Sequence, residues 1–278
     1  MKYPIFLKKP IHNTKYTFQK VFNSNSIFLD WSKTLNNFGD ILNPYLISYI
    51  SKKKIINVSA KYCYYNHLQA IGSILSRSSS NTTVWGSGFI SKDSTFISKP
   101  RNVFAVRGPL TRKILIEKGV KCPEVYGDPA LLISKFYKPK FKKKYKLGIL
   151  PHYVDKSHSW LKGVKDDNNV IIIDIQNPSP LNVIDQMLSC EYIASSSLHG
   201  LIISDAYKIP SVWIRLTDNL AGDFFKFNDY FMSIKSDLIK PTLINEKTTI
   251  QALINCAQCR HINLNLDLLY NSFPEEFK

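Results

Sequence analysis

The sequence predicts an α/β protein of two Rossmann-like lobes with a cleft between them. In the second half, apolar runs near 146–150, 170–175, 191–195 and 211–216 are predicted strands, and segments of helical period separate the last three. Such short alternating steps are typical of a parallel sheet with right-handed crossovers. The first half repeats the pattern less regularly, and 278 residues suffice for two ordinary domains.

The elements follow in order along the chain. The first half is predicted to contain helices near 40–51 and 109–118 and strands near 55–58, 67–71, 83–85 and 103–106. In the second half we expect helices near 181–189 and 198–207, and a final helix near 249–259 that packs back on the body. We place the N-terminal lobe at 1–140 and the C-terminal lobe at 141–278.

The positive net charge of the chain favours anionic partners. The formal net charge is +16, from 37 Lys and Arg against 21 Asp and Glu, and it is spread along the chain. Nucleic acid, an acidic membrane face and phosphorylated small molecules or lipid carriers all fit such a charge. No basic motif interleaved with aromatics favours nucleic acid, so we expect none. The densest block, 138–146, is interpreted as a solvated linker or as a phosphate- or membrane-attracting patch.

Location and metal content are predicted from what the sequence lacks. The N-terminus has no apolar signal-peptide core, and no apolar run approaches the roughly 20 residues of a spanning helix. We therefore expect a cytoplasmic protein. Five cysteines without framework spacing fit a reducing compartment. Cys256 and Cys259 form a CxxC with only His261 nearby, so we predict no metal site.

The segment EYIASSSLHGL, 191–201, runs from a predicted strand through three serines into a helix. Exposed amides and the helix dipole attract anions at such a helix start. His199 falls in the first turn and suits a general acid or base. A serine cap followed by an ordinary histidine explains the segment equally well.

Arg107 ends a predicted strand, and Gly108 and Pro109 then turn the chain into a helix. A guanidinium at the carboxyl edge of a sheet is suited to bidentate recognition of carboxylate or phosphate. A surface ion pair is the alternative.

Three further segments carry candidate ligands of lower specificity. Asp128 precedes Pro129 in YGDPALL, where a helix cap explains it about as well as function does. Gly39 and Asp40 open a helix in NFGDILN, and Asp40 is either a cap or a base. WGSG, 85–88, ends a strand with backbone room for a ligand but lacks the spacing of nucleotide-binding loops.

Taken together, NFGDILNPYL, WGSG, VRGPLTR, YGDPALL and SSSLHGLIISDAYKIPSV occur in the order and spacing of the polysaccharide pyruvyl transferase family. The chain resembles that family over about residues 35–235. The resemblance implies a GT-B-like pair of lobes with the active site in the cleft. It also implies transfer of the enolpyruvyl unit of phosphoenolpyruvate to two hydroxyls of a sugar, giving a cyclic pyruvate ketal and phosphate.

The resemblance assigns roles to residues. By similarity, Arg107 binds the donor and His199 is catalytic, while backbone amides of Ser196, Ser197 and Leu198 hold the phosphate or carboxylate. Asp40 is the candidate base for the acceptor hydroxyl. Further candidate substrate ligands are Asn37, Gly39, Gly86, Asp128 and Lys226.

The implied partners follow from this reaction. Phosphoenolpyruvate is a co-substrate and no cofactor is expected. The expected acceptor is a sugar of a surface polysaccharide or of its lipid-linked oligosaccharide precursor, with peripheral contact to an anionic membrane as an added expectation.

This chain departs from the family pattern at two cations. Many members have an arginine two residues before the histidine, where Ser197 stands here, and a lysine about twenty residues after it, where Asn219 stands. Arg215 and Lys226 are candidates to supply the charge. These departures keep an alternative open, a GT-B-type glycosyltransferase that binds a nucleotide sugar at 195–200.

Overall fold

The structure is a computed structural model that describes residues 25–218 and 224–278. Its first sheet is parallel and has five strands: β1 (Ser26–Asp30), β2 (Lys54–Val58), β3 (His67–Gln69), β4 (Thr82–Trp85) and β5 (Asn102–Ala105). Their order is β2-β1-β3-β4-β5. Helix α1 (Phe38–Ser51) joins β1 to β2, and α2 (Pro109–Glu117) follows β5 with its proline in the first turn, where no amide hydrogen is needed.

The second sheet is also parallel and five-stranded, in the order β10-β9-β8-β6-β7. Its strands are β6 (Tyr145–Leu150), β7 (Val170–Ile172), β8 (Cys190–Ser195), β9 (Ser211–Arg215) and β10 (Thr242–Leu243). The helices are α3 (Ile133–Phe136), α4 (Ser159–Val164), α5 (Pro180–Leu188), α6 (Leu198–Ala206), α7 (Phe225–Ser233), α8 (Ile250–Cys256) and α9 (Leu266–Asn271).

The predicted α/β class with parallel sheets is confirmed. Most predicted elements lie within a few residues of the observed ones, while the runs 67–71 and 170–175 are shorter as strands. Strands β1 and β10 and helices α4, α7 and α9 were not predicted. Residues 137–144 between the sheets form no helix or strand, and 141–144 are exposed, as the linker interpretation requires.

The two sheets share apolar packing. One buried cluster contains Leu29 and Leu68 from the first sheet together with Ile193 and Trp213 from the second. Trp213 stacks on Phe227 of α7, with ring centroids 4.2 Å apart and an interplanar angle of 14°. Burial of this continuous apolar surface is the main stabilising contribution that joins the two halves.

The C-terminal segment returns to the first sheet. Trp85 of β4 donates its indole N–H to the Leu269 carbonyl at 3.1 Å, and its ring meets Phe273 edge-on at 4.9 Å. The Thr83 hydroxyl donates to Glu276 at 2.8 Å. Residues near the end of the chain therefore cover β4.

Within the described ranges, no helix combines the length and apolar content that crossing a bilayer requires.

Trp85→Ala tests the contribution of the C-terminal contact. The side chain is fully buried, so we expect the free energy of unfolding to fall by roughly 3–5 kcal/mol. Urea unfolding measures it. Ile97→Ala is the control, because Ile97 is 55% exposed and should change stability by less than about 0.5 kcal/mol. A loss at Trp85 no larger than that of the control would contradict the packing described here.

Candidate active site

A cavity of about 180 Å³ lies where the carboxyl ends of strands from both sheets meet. This edge is where open parallel sheets bind ligands. Ser32 follows β1, Ser73 follows β3, His152 follows β6 and Ser197 follows β8. The other lining residues are Leu35, Asn37, Asp40, Gly72, Ile74, Ile90, Tyr153, Leu198, His199 and Lys226. The volume is below the roughly 300 Å³ at which drug-sized pockets begin, so the cavity suits a small ligand.

His199 lies in the first turn of α6 and is 8% exposed. Its Nε2 is 3.5 Å from Oδ2 of Asp128, a buried carboxylate whose other oxygen accepts the Ala130 amide at 3.0 Å. The predicted capping role of Asp128 is thus observed, at a 3-10 turn over Pro129–Leu132. The carboxylate beside Nε2 fixes the side of the ring that faces Asp128.

Gly39 lies directly against the His199 ring. A Cβ at Gly39 would be 2.1 Å from Nδ1, a distance that no side chain can adopt. The glycine comes from α1, which follows the first sheet, and the histidine from α6 of the second half. The absence of a side chain at 39 therefore lets the imidazole occupy its place.

Asp40 is next on α1 and faces the cavity. Burial raises the pKa of its carboxyl, while the hydrogen bond from the Asn37 amide, 3.2 Å long, and the charge of His199 oppose the rise. A carboxylate with a raised pKa accepts a proton more readily than an exposed one. Asp40 is therefore suited to act as a base.

Lys226 of α7 also lines the cavity. Burial and the nearby Arg107 charge lower the pKa of its ammonium to about 8, against a smaller opposing effect of Asp155. Near neutral pH the side chain is still mostly charged, so Lys226 supplies a cation.

Two of the three backbone amides at 196–198 that were predicted to bind an anion already donate hydrogen bonds within the protein. The Ser196 amide donates to the Leu150 carbonyl at 3.1 Å, and the Ser197 amide donates to the Ser195 hydroxyl at 3.0 Å. Helix geometry supplies no acceptor for the amides of the first turn, which includes Leu198 and His199. A ligand at this helix start would thus meet the Leu198 amide rather than all three.

Arg107 lies behind the cavity wall. Its side chain is fully buried, and Nε donates to Oδ2 of Asp229 on α7 at 3.0 Å. Nη1 donates to the hydroxyl of Ser73, a lining residue, at 2.6 Å, and Nη2 donates to the Phe89 carbonyl at 2.5 Å. The surface ion pair considered from the sequence is therefore a buried pair, and direct donor contact by Arg107 stays a prediction.

The glycines of WGSG leave room for protein atoms. Gly86, predicted as a substrate ligand, has φ +96°, and a Cβ there would be 2.2 Å from the Pro129 ring. At Gly88 a Cβ would be 2.5 Å from Cζ of Arg107. The backbone room expected for a ligand is thus filled by Pro129 and Arg107.

The cavity brings together six predicted site residues: Asn37, Asp40, Ser197, Leu198, His199 and Lys226. Gly39 and Asp128 contact His199 from behind. Of the two replacement cations, Lys226 lines the cavity, while Arg215 pairs with Asp218 and lies over the Phe224 ring. Asn219 is outside the described residues.

Sequence reasoning missed His152, Tyr153 and Ser73. His152 follows β6 by two residues and so lies at the same edge of the second sheet as the end of β8. Its backbone amide donates to the Ser196 hydroxyl at 2.8 Å, and that hydroxyl donates to the buried Asp155 at 2.7 Å. Through these bonds Ser196 positions the His152 segment.

In the described part of the chain, no group of three or more His, Cys, Asp or Glu side chains has an arrangement that could hold a metal ion.

Asp229→Ala should remove the buried partner of Arg107. Oxygen atoms of Asp229 also accept the Thr111 amide at 2.9 Å and the Thr111 hydroxyl at 2.7 Å. Breaking a buried pair on one side costs roughly 3–5 kcal/mol of unfolding free energy, measurable by urea unfolding. Asp267→Ala breaks the exposed pair with Lys135 and should cost about 1 kcal/mol or less. Equal losses in the two variants would rule out a special role for the buried pair.

His152 should make the folded protein sensitive to acid. Burial, followed by the charges of Lys226 and His199, lowers its pKa from 6.5 to about 4. As pH falls from about 6.5 to about 4, the unfolded chain gains a proton that the folded chain lacks, which removes roughly 3 kcal/mol of unfolding free energy. Urea unfolding across this range should show a smaller loss for His152→Asn, and His158→Asn should behave as wild type. If His152→Asn lost as much unfolding free energy in acid as wild type, the lowered pKa of His152 would not be the source of the acid sensitivity.

Known proteins of similar sequence were found for most of the chain. It is 34% identical over 230 residues to uncharacterized protein L143 of Acanthamoeba polyphaga mimivirus, covering 79% of each chain. It is 26% identical over 240 residues to succinoglycan biosynthesis protein ExoV of Rhizobium meliloti, covering 82% of this chain and 71% of that protein.

The crystal structure of an uncharacterized Klebsiella pneumoniae protein aligns with a TM-score of 0.47 and 11% identity, covering 84% of this chain and 98% of that one. A family model described as polysaccharide pyruvyl transferase matches residues 3–218, which include every lining residue of the cavity before Lys226. The chain belongs to the polysaccharide pyruvyl transferase family and is a transferase of that general kind.

Proposed function

We propose that this protein transfers the pyruvyl unit of phosphoenolpyruvate to two hydroxyls of a sugar, forming a cyclic ketal and releasing phosphate. The observation that carries the proposal is the single small cavity in which His199, Asp40 and Lys226 meet at the start of α6. It combines an acid, a base and a cation. The family supports a pyruvyl transferase, and the cavity suggests how the chemistry is divided.

The donor is assigned to the side of the cavity formed by α6 and α7. Phosphoenolpyruvate has a phosphate and a carboxylate on a small frame, and such a ligand needs cations and helix amides more than apolar walls. Lys226 supplies the cation and the amides of the first turn of α6 supply donors. Lys226 thereby replaces the cation expected at Asn219. Arg107 adds positive charge behind Ser73.

The acceptor is assigned to the Asp40 side. As a sugar hydroxyl forms its bond to C2 of the donor, His199 gives a proton to C3, which becomes the methyl carbon, and Asp40 takes the hydroxyl proton. The second hydroxyl then forms its own bond to C2 while the bond from C2 to the phosphate oxygen breaks. The second hydroxyl proton leaves with the phosphate, and exchange with solvent passes the Asp40 proton back to His199, so atoms and charge balance. General acid and base catalysis of this kind contributes roughly 10²–10⁴-fold for each group.

We propose a GT-B-like arrangement around this cavity, with one lobe at 1–140 and the other at 141–278. Residues from both halves line the cavity, and each half has its own parallel sheet. The cavity would then be the inner part of the cleft.

The proposed acceptor is a sugar of a surface polysaccharide or of its lipid-linked precursor, met in the cytoplasm at the inner face of a membrane. The net charge of +16 supports attraction to anionic lipid and to the diphosphate of a carrier.

His199→Asn should slow turnover strongly and leave donor binding in place. Lys226→Met should weaken donor binding. We expect kcat to fall about 10²–10⁴-fold in the first variant and phosphoenolpyruvate affinity to fall about 10–100-fold in the second. Calorimetric titration measures binding. Phosphate release with p-nitrophenyl hexosides as acceptors measures turnover. Lys235→Met, at an exposed lysine just beyond α7, is the matched control.

Titrations with UDP and CMP separate this proposal from the nucleotide-sugar glycosyltransferase. Binding of a nucleotide with no response to phosphoenolpyruvate would overturn pyruvyl transfer and favour glycosyl transfer. If Lys226→Met bound phosphoenolpyruvate with the affinity of wild type, Lys226 would not be the cation that binds the donor.

A further inference from the structure

We propose that His152 is a second anion-binding residue of the cavity, which takes a proton from solvent as the phosphate group of the donor enters and then donates a charged hydrogen bond to it. The inference rests on the proposed function for the identity of the ligand. The position of His152, its fixed backbone and its surroundings carry it.

The backbone at His152 is held in place on the second sheet. The Ser196 hydroxyl accepts the His152 amide at 2.8 Å and donates to Asp155 at 2.7 Å. The other oxygen of Asp155 accepts the Thr217 hydroxyl at 2.6 Å. The turn after β6 is thus tied to the ends of β8 and β9, and His152 faces the ligand position from a rigid base.

The His152 ring is partly buried, and one of its nitrogens has no hydrogen-bond partner among the described residues. That nitrogen is Nδ1, which is itself buried. The ring packs against Tyr153, with centroids 4.2 Å apart, and lines the cavity beside Lys226. A buried polar atom without a partner costs free energy, which an arriving ligand can recover.

The charges around His152 favour the neutral ring while the cavity is empty. Burial lowers the pKa of His152 most, and the nearby Lys226 on α7 and His199 on α6 lower it further. Asp155 on the same turn is engaged by Ser196 and Thr217. Asp40 faces the cavity from α1, where Asn37 holds it.

A dianionic group bound between Lys226 and His152 would favour the protonated form of the His152 ring instead of the neutral form. An opposite charge within about 4–6 Å favours the protonated imidazole and raises its pKa. Binding must therefore be linked to proton uptake, and affinity must fall as pH rises from about 4 to the pKa of the complex. Lys226 and His152 would then bind the phosphate group together, and we call this pair the phosphate clamp.

Sulfate is the probe for the clamp because it stays a dianion across the range, so the ligand itself does not titrate. Calorimetry on the full chain between about pH 5 and 7.5 should show affinity falling with rising pH, by up to tenfold per unit where one proton is taken up. His152→Asn should bind about 10-fold or more weakly at low pH and should lose about one proton of this linkage. His158→Asn retains a side chain able to cap α4 and is the matched control.

The outcomes separate this inference from the proposed function. Equal sulfate affinity and equal pH dependence in wild type and His152→Asn would overturn the clamp even if phosphoenolpyruvate binds and turns over. Wild type that binds sulfate through His152 but ignores phosphoenolpyruvate would overturn the proposed donor. Far-ultraviolet circular dichroism identifies a variant that fails to fold, and His152→Gln then provides the second comparison.

Discussion

The buried pair between Arg107 and Asp229 is the constraint on which the site depends. Two fully buried charges are tolerated in a protein interior only when they are close together and hydrogen-bonded throughout. Asp229 meets this condition with bonds from Arg107 and Thr111, and Arg107 with further bonds to Ser73 and Phe89. The pair joins the end of β5 to α7, which are 122 residues apart in sequence.

Several features of the site follow from this pair. Asp229 and Lys226 lie on the same helix, so the pair sets the position of the cavity cation. Ser73 forms part of the cavity wall while accepting from Arg107. Gly88 and Gly108 stand where any Cβ would strike Arg107 or Asp229, so the backbone closes around the pair. Arg107 therefore fixes the positions of residues that line the cavity without lining it.

The sequence predicted the class of the fold and much of the site because both depend on local patterns. A strand-turn-helix signal located His199 at a sheet edge, and a helix-start signal located Asp40. His152 escaped because β6 is followed by Pro151 and a 3-10 turn at Tyr153–Asp155 rather than by a helix. The partner of Arg107 escaped because Asp229 lies on α7, a helix that was not predicted and whose Phe227 and Phe231 pack on Trp213. The cradle predicted at 196–198 reflects another limit, since local patterns do not show which amides the fold already uses.

The contact between Gly39 and His199 has an evolutionary consequence. The imidazole occupies the space of a missing side chain on a helix from the other half of the molecule, so the two positions form one unit of selection. Any substitution at 39 that adds a carbon displaces the ring, and no change at 199 that keeps the imidazole restores it. Substitution on α1 is therefore free at its exposed positions but stops at this glycine for as long as the imidazole keeps its place. A lineage that has lost the glycine must have moved or lost the imidazole as well.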